Sequence, residues 1–247
     1  MESGVTKQER VVPSHMSHST LNSQLSTLLL LLAGLAHADE RPDARTILAT
    51  VRAAQTSQHQ TLRGHLRTGG TKIPFRLVAS GNTLRWEFTD PPQTLQLRLL
   101  DKDSRLEEIT GAGAKKITGA KFDAKVRGTD ISYEDLAFKF LYWPTASVEG
   151  EDVIVLTSCW RLLCEPPSKS DSQYGKVRVW IAKETGALMK AEAYGHDGRL
   201  VRSFTVRSGQ KIEGAWMLKQ MRIEQPESAR AGDRQPTYLE VDGVEKP

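Results

Sequence analysis

Apolar positions set the first element of the chain. Ala44, Ile47, Leu48, Val51 and Ala54 recur at spacings of three and four, which predicts a helix over residues 42 to 56 with one buried stripe. Pro42 suits its first turn. Beyond it the period changes to two. Residues 61 to 67 alternate, and Gly69-Gly70 is a turn signal. Phe75, Leu77 and Ala79 share one face of the next run. Gly81-Asn82 turns the chain, and Leu84, Trp86 and Phe88 share a face opposite Arg85 and Glu87. Asp90-Pro91-Pro92 breaks the run, and Leu95, Leu97 and Leu99 then share a face opposite Gln96 and Arg98. Runs at roughly 8–12-residue spacing with short turns are the pattern of an antiparallel meander.

Residues 111–128 are rich in Gly, Ala and Lys, lack the order of a phosphate-binding loop, and read as a mobile connection. Ser132, with Asp135 three residues on, opens a short helix. Leu136, Phe138, Phe140, Leu141, Tyr142 and Trp143 crowd into it, and Pro144 ends it. A helix this aromatic must cover something apolar. Period two then returns: one strand over 153–164, a Pro- and Ser-rich loop, and a strand through Val177, Val179 and Ile181. A Lys183-Glu184-Thr185-Gly186 turn and an Asp197-Gly198 turn follow, with further strands to residue 241. The expected fold is mainly β (α+β): a strongly curved antiparallel sheet of about ten strands, an unclosed barrel with a lid of short helices.

Composition narrows the function classes. The 247 residues are 38% hydrophobic and 26% charged, enough for a buried core. A mean hydropathy of -0.43 excludes a multi-span membrane protein. The net charge of +4 comes from 34 basic and 30 acidic residues with no basic run, so nucleic acid is not an expected partner. The longest apolar run, residues 25 to 35, is shorter than the about 20 residues that span a bilayer. Ala36-His37-Ala38 after it has the pattern of a signal-peptidase site. The expectation is a signal peptide over 1–38, cleaved after Ala38, and a periplasmic domain over 39–247. The alternative is an uncleaved anchor.

Reactive chemistry is sparse. No GxSxG, HExxH or CxxC occurs, so no catalytic residue, metal ligand or cofactor is assigned and the chain reads as a non-enzyme. Cys159 and Cys164 on one extended strand would stand about 16 Å apart on opposite faces. A disulfide needs less than about 7 Å, so none is expected unless a turn intervenes. What remains is apolar surface on the concave side of a curved sheet. Left open, it makes a lipid-sized cavity; filled, it makes a closed core. Arg76, Arg85 and Arg98 face away from it, onto a solvated outer face unless one turns inward to a lid carbonyl or a ligand head group.

Three segments carry a family resemblance: Ser132-Tyr133-Glu134-Asp135-Leu136, residues 174–186, and residues 193–202 with the ladder of strand, Lys-Glu-Thr-Gly, strand, Asp-Gly, strand. The chain resembles the outer-membrane lipoprotein-sorting proteins of the LolA/LolB-like superfamily over about residues 43–242. The resemblance implies a LolA/LolB-like lipid-binding domain: an unclosed barrel, helices as a lid, and an apolar cavity for the acyl chains of lipoproteins or lipids during periplasmic transfer. It leaves room for a membrane-bound donor or acceptor. Leu84, Trp86, Phe88, Leu95 and Leu97 on the sheet, with Phe138, Leu141 and Trp143 on the lid, are the candidate ligand contacts. The competing reading is a structural or interaction module of the envelope whose barrel is filled by its own side chains.

Overall fold

The structure is a computed structural model, and it describes residues 42–212, 215–226 and 235–245. The chain starts with α1 (Ala44–Thr56), which buries Ala44, Ile47, Leu48 and Val51, the stripe read from the sequence. The first meander follows: β1 (His59–Thr68), β2 (Thr71–Ser80), β3 (Thr83–Phe88), β4 (Gln93–Leu99), β5 (Ser104–Thr110) and β6 (Gly113–Lys116). A helical segment holds α2 (Ala120–Asp123), α3 (Tyr133–Ala137) and a 3-10 turn (Lys139–Tyr142). The second meander is β7 (Thr145–Ile154), β8 (Thr157–Glu165), β9 (Lys176–Ala182), β10 (Leu188–Tyr194), β11 (Leu200–Ile212), β12 (Ala215–Glu224) and β13 (Thr237–Val244).

The thirteen strands form one antiparallel sheet in the order β6-β5-β4-β3-β2-β1-β13-β12-β11-β10-β9-β8-β7. Each meander is sequential, and the two join where β1 pairs with β13. β6 and β7 are the free edges, so the curved sheet is unclosed. Register shifts at Arg63/Gly64, Ala193/Tyr194, Val206/Ser208 and Val148/Gly150 mark bulges, which bend a strand and increase its twist. Gly64 lies at one of them. A side chain there would come within 2.6 Å of the Phe75 ring, so only glycine lets β1 sit this close to its neighbours.

Three expectations need correction. The sheet has thirteen strands rather than about ten, partly because residues 111–128 are structured as β6, α2 and a 3-10 turn (Val126–Gly128). Lys116 and Ala114 of β6 pair with Glu107 and Ile109, which sequence periodicity over four exposed residues could not show. The single strand expected over 153–164 begins only at Thr157, as β8, and residues 153–156 close its hairpin with β7. Val155 and Leu156 form its tip with φ of 48° and 63°, in a chain stretch without the Asn or Gly that such turns favour. The aromatic helix is also shorter than expected. Ser132 caps it with a complete capping box: its side chain accepts from the Asp135 N–H, while the Asp135 carboxylate accepts from the Ser132 N–H. It ends at Phe138, whose left-handed φ of 47° hands the chain to the 3-10 turn. The cysteines are free and buried on β8, on opposite faces as expected. Burial pushes the Cys164 thiol up to about 12, so it stays protonated at neutral pH.

The segments expected as signal peptide, residues 1–38, and most of the polar loop over 226–236 lie outside the described residues.

Candidate functional site

The concave face carries the apolar sets of both meanders. Leu84 pairs with Leu97 and Trp86 with Leu95, so the two triplets share one face as the alternation required. Phe75 meets the Trp86 ring edge-on at 4.9 Å. On the convex side Arg76 bridges Glu245 at 2.6 Å and Glu87 at 2.8 Å. Arg85 donates to Gln96 at 2.9 Å, and Arg98 pairs with Glu107 at 2.8 Å. These three arginines face outward. The lid carbonyl is held by a different one: Arg52 of α1 donates to the Leu141 carbonyl at 2.7 Å, tying α1 to the 3-10 turn.

Between these layers lies a cavity of about 630 Å³. Its ceiling is Val51 and Ala54 of α1 with Leu136 and Phe138 at the end of α3. One wall is Leu62, Leu77, Leu84 and Trp86, from β1 to β3. The other is Phe204, Met221, Ile223, Leu239 and Val241, from β11 to β13. Exposed Ser57, Gln58, His59, Thr185 and Trp216 also belong to the lining and mark its mouth. The volume falls within the roughly 300–1,000 Å³ of small-molecule sites.

Of the eight residues singled out from the sequence, Leu84, Trp86 and Phe138 line this cavity. Leu95, Leu97 and Leu141 are fully buried, and Phe88 is 4% exposed; all four are packed in the core. Trp143 lines a separate, polar groove with Arg45, Arg52, Lys102 and Lys139. The wall from β11 to β13 escaped the sequence reading, although Phe204 and the alternation after it were visible.

A buried polar cluster sits behind the ceiling. Asp135 lines the cavity and accepts from the Tyr174 hydroxyl at 2.6 Å. Arg202 stands with Nε 3.5 Å from Asp135 Oδ2; its side chain is 7% exposed and that of Asp135 0%. Arg202 Nη1 has no hydrogen-bond partner among the described residues. Glu134 accepts from the Ser172 hydroxyl and, at 3.2 Å, from the Gln173 N–H. Burial raises its pKa against these hydrogen bonds, which favour the ionised form. Burial also pushes the Tyr174 phenol well above its ordinary range, keeping it a donor to Asp135. The cluster ties α3 to the strands beneath it. The sequence signal was the phase of Arg202, which shares parity with Phe204 and Val206 and so must point inward.

Residues 113–244, more than half of the chain, match the model of a family described as "Uncharacterized protein". No curated protein matches the sequence. Solved structures that share the fold include the following three. A putative outer membrane lipoprotein-sorting protein domain from Vibrio parahaemolyticus matches with a TM-score of 0.64 at 14% identity, over 81% of this chain and 91% of its own. A LolA superfamily protein from Nitrosomonas europaea matches at 0.61 and 16% identity, over 84% and 94%. A DUF1329 family protein from Desulfovibrio piger matches at 0.57 and 19% identity, over 83% and 93%. The open, curved sheet that the sequence resemblance implied is the sheet this chain has.

Proposed function

Since the chain belongs to the family matched over residues 113–244 and has the fold of LolA-superfamily structures, we propose that it is a carrier of acyl chains. One observation supports this above the others: a cavity of about 630 Å³ with largely apolar walls remains open inside a well-packed sheet. Empty apolar surface of that size stabilises nothing in the free protein, whereas an acyl chain would remove it from water at about 0.8 kcal/mol per methylene. The ligand is a lipid or the acylated end of a lipoprotein. Leu84, Trp86 and Phe138 contact it, joined by Met221 and Ile223 from the opposite wall. The activity is binding and transfer rather than catalysis.

The setting completes the proposal. Residues 1–38 act as a signal peptide cleaved after Ala38, and the mature lipid-binding domain from Asp39 works in the periplasm. There, acyl chains must cross water between a membrane-bound donor and acceptor towards the outer membrane. The name of the Vibrio structure points the same way.

The test is titration with a fluorescent fatty acid. The protein should bind it saturably at one site. Phe138→Asp should weaken binding at least about tenfold, because a carboxylate would be buried against the chain. Aspartate also tolerates the left-handed backbone of Phe138, so the fold should persist by circular dichroism. Unchanged affinity in a folded Phe138→Asp protein would contradict the assignment of this cavity.

A further inference from the structure

Among the described residues five large apolar side chains are strongly exposed: Leu100, Val153, Val155, Leu156 and Trp216. The strand order places all five at one end of the sheet. Val153 to Leu156 belong to the β7–β8 tip, where Ile154 pairs with Thr157. Trp216 lies beside the β11–β12 tip, where Ile212 pairs with Ala215. Leu100 lies in the β4–β5 turn, closed by Leu99 and Ser104. The opposite end includes Gly69-Gly70, Asp90-Pro91-Pro92, Gly111-Ala112 and His196-Asp197-Gly198, and among the described residues it exposes no such side chain.

This end is also the mouth of the cavity. Ser57, Gln58, His59 and Thr185 line the opening there, and Trp216 belongs to both the rim and the lining. The β7–β8 tip adjoins it, since the Lys183 N–H donates to the Ser158 carbonyl at 2.9 Å. The tip is costly to the free protein. Val155 and Leu156 both take left-handed backbone, unfavourable above all for the β-branched Val155, yet they are 54% and 98% exposed. Residues 153–157 carry no charge.

We propose that this rim docks on the surface of a zwitterionic lipid bilayer, with Val155, Leu156 and Trp216 as the inserting side chains. Single apolar side chains on separate hairpin tips suit a fluid interface, which fills the gaps between them. A rigid partner would need a continuous face. An exposed tryptophan is at home at the level of the head groups. The proposal deepens the carrier reading and rests on it for its purpose: a docked rim lets an acyl chain pass between bilayer and cavity without crossing water.

The test compares the protein with a Val155→Asn, Leu156→Gly variant in sedimentation with phosphatidylcholine vesicles. Asn-Gly is the preferred sequence for this turn, so the variant should melt at the same or a higher temperature. Neither residue lines the cavity, so its affinity for the fluorescent fatty acid should stay within about twofold. The unchanged protein should sediment with vesicles equally at low and high salt. The variant should lose at least about tenfold in partitioning.

Equal sedimentation of the two proteins, none by either, or binding that salt abolishes would each overturn the docking surface. So would a dimer of the unchanged protein that the variant dissolves, which would put a second copy on the tips. Fatty-acid binding absent from both proteins, with the vesicle difference intact, would sink the carrier reading and leave the docking surface standing.

Discussion

The concave face is filled at one side and open at the other. Over β4 and β5, Leu95 and Leu97 are 0% exposed and Leu106 2%, all within the packed core, and α3 packs on β5. Over β11 to β13 the inward residues are as apolar, but Phe204, Met221, Ile223, Leu239 and Val241 face the cavity instead of a helix. The difference lies in what the chain places above the strands. Among the described residues α3 packs on β5, α1 packs on β7 and on the 3-10 turn at Lys139–Tyr142, and that turn packs on β8. Both meanders therefore contribute to the packed core and to the cavity: β1 to β3 and β11 to β13 line it, while β4, β5, β8 and β9 are filled. Similar strand patterns thus end in a packed core in one place and in an open apolar wall in another.

The joint under α3 should give the largest effect if broken. Asp135→Ala would leave Arg202 charged and buried, at a cost of about 3–5 kcal/mol. Asp135→Ala with Arg202→Met should recover most of that by removing the orphaned charge. Chemical denaturation of both variants checks it; a double variant no better than the single would mean that the pair is not coupled.

Core truncations sharpen the contrast next. Leu97→Ala in the filled part should cost about 2–5 kcal/mol and leave fatty-acid affinity unchanged. Met221→Ala in the open part should cost only about 1 kcal/mol, because its side chain already faces open volume, yet weaken binding. Denaturation midpoints and titrations on both proteins test this, and equal stability losses would erase the distinction.

The seam where the meanders meet has its own signature. Glu240 of β13 accepts from Arg67 of β1 at 2.6 Å and from Gln220 at 2.7 Å, and these bonds lower its pKa from 4.5 to about 2. The ionised form is therefore favoured by folding. Its contribution is present above the ordinary glutamate range and is lost as pH falls from about 4.5 towards 2. Glu240→Gln should cost about 1 kcal/mol at neutral pH and flatten that acid slope in thermal melts. The smallest effect belongs to the helix cap: Ser132→Ala should cost about 1 kcal/mol or less by the same melts, with α3 retained.

Much of this was legible beforehand. Strict alternation, turn dipeptides such as Gly81-Asn82, and the Ser132 capping box placed most strands and the start of α3. The misses share a cause. β6, the Val155-Leu156 tip and the left-handed Phe138 all depend on contacts or backbone states that local residue preference opposes. The alternation that puts Trp86 on the concave face puts Leu95 and Leu97 there too, yet only Trp86 of the three lines the cavity. What lies above each strand separates the one from the others, and helix placement is a tertiary fact that periodicity does not carry. Arg202 could have been found, because its phase among Phe204 and Val206 was plain.

Native mass spectrometry of the protein, purified without detergent from a Gram-negative host, tests the carrier reading most directly. The account predicts a species heavier by one acyl-bearing molecule, absent from the Phe138→Asp protein. A single ligand-free mass for the unchanged protein, together with no saturable uptake of added fatty acid, would contradict it.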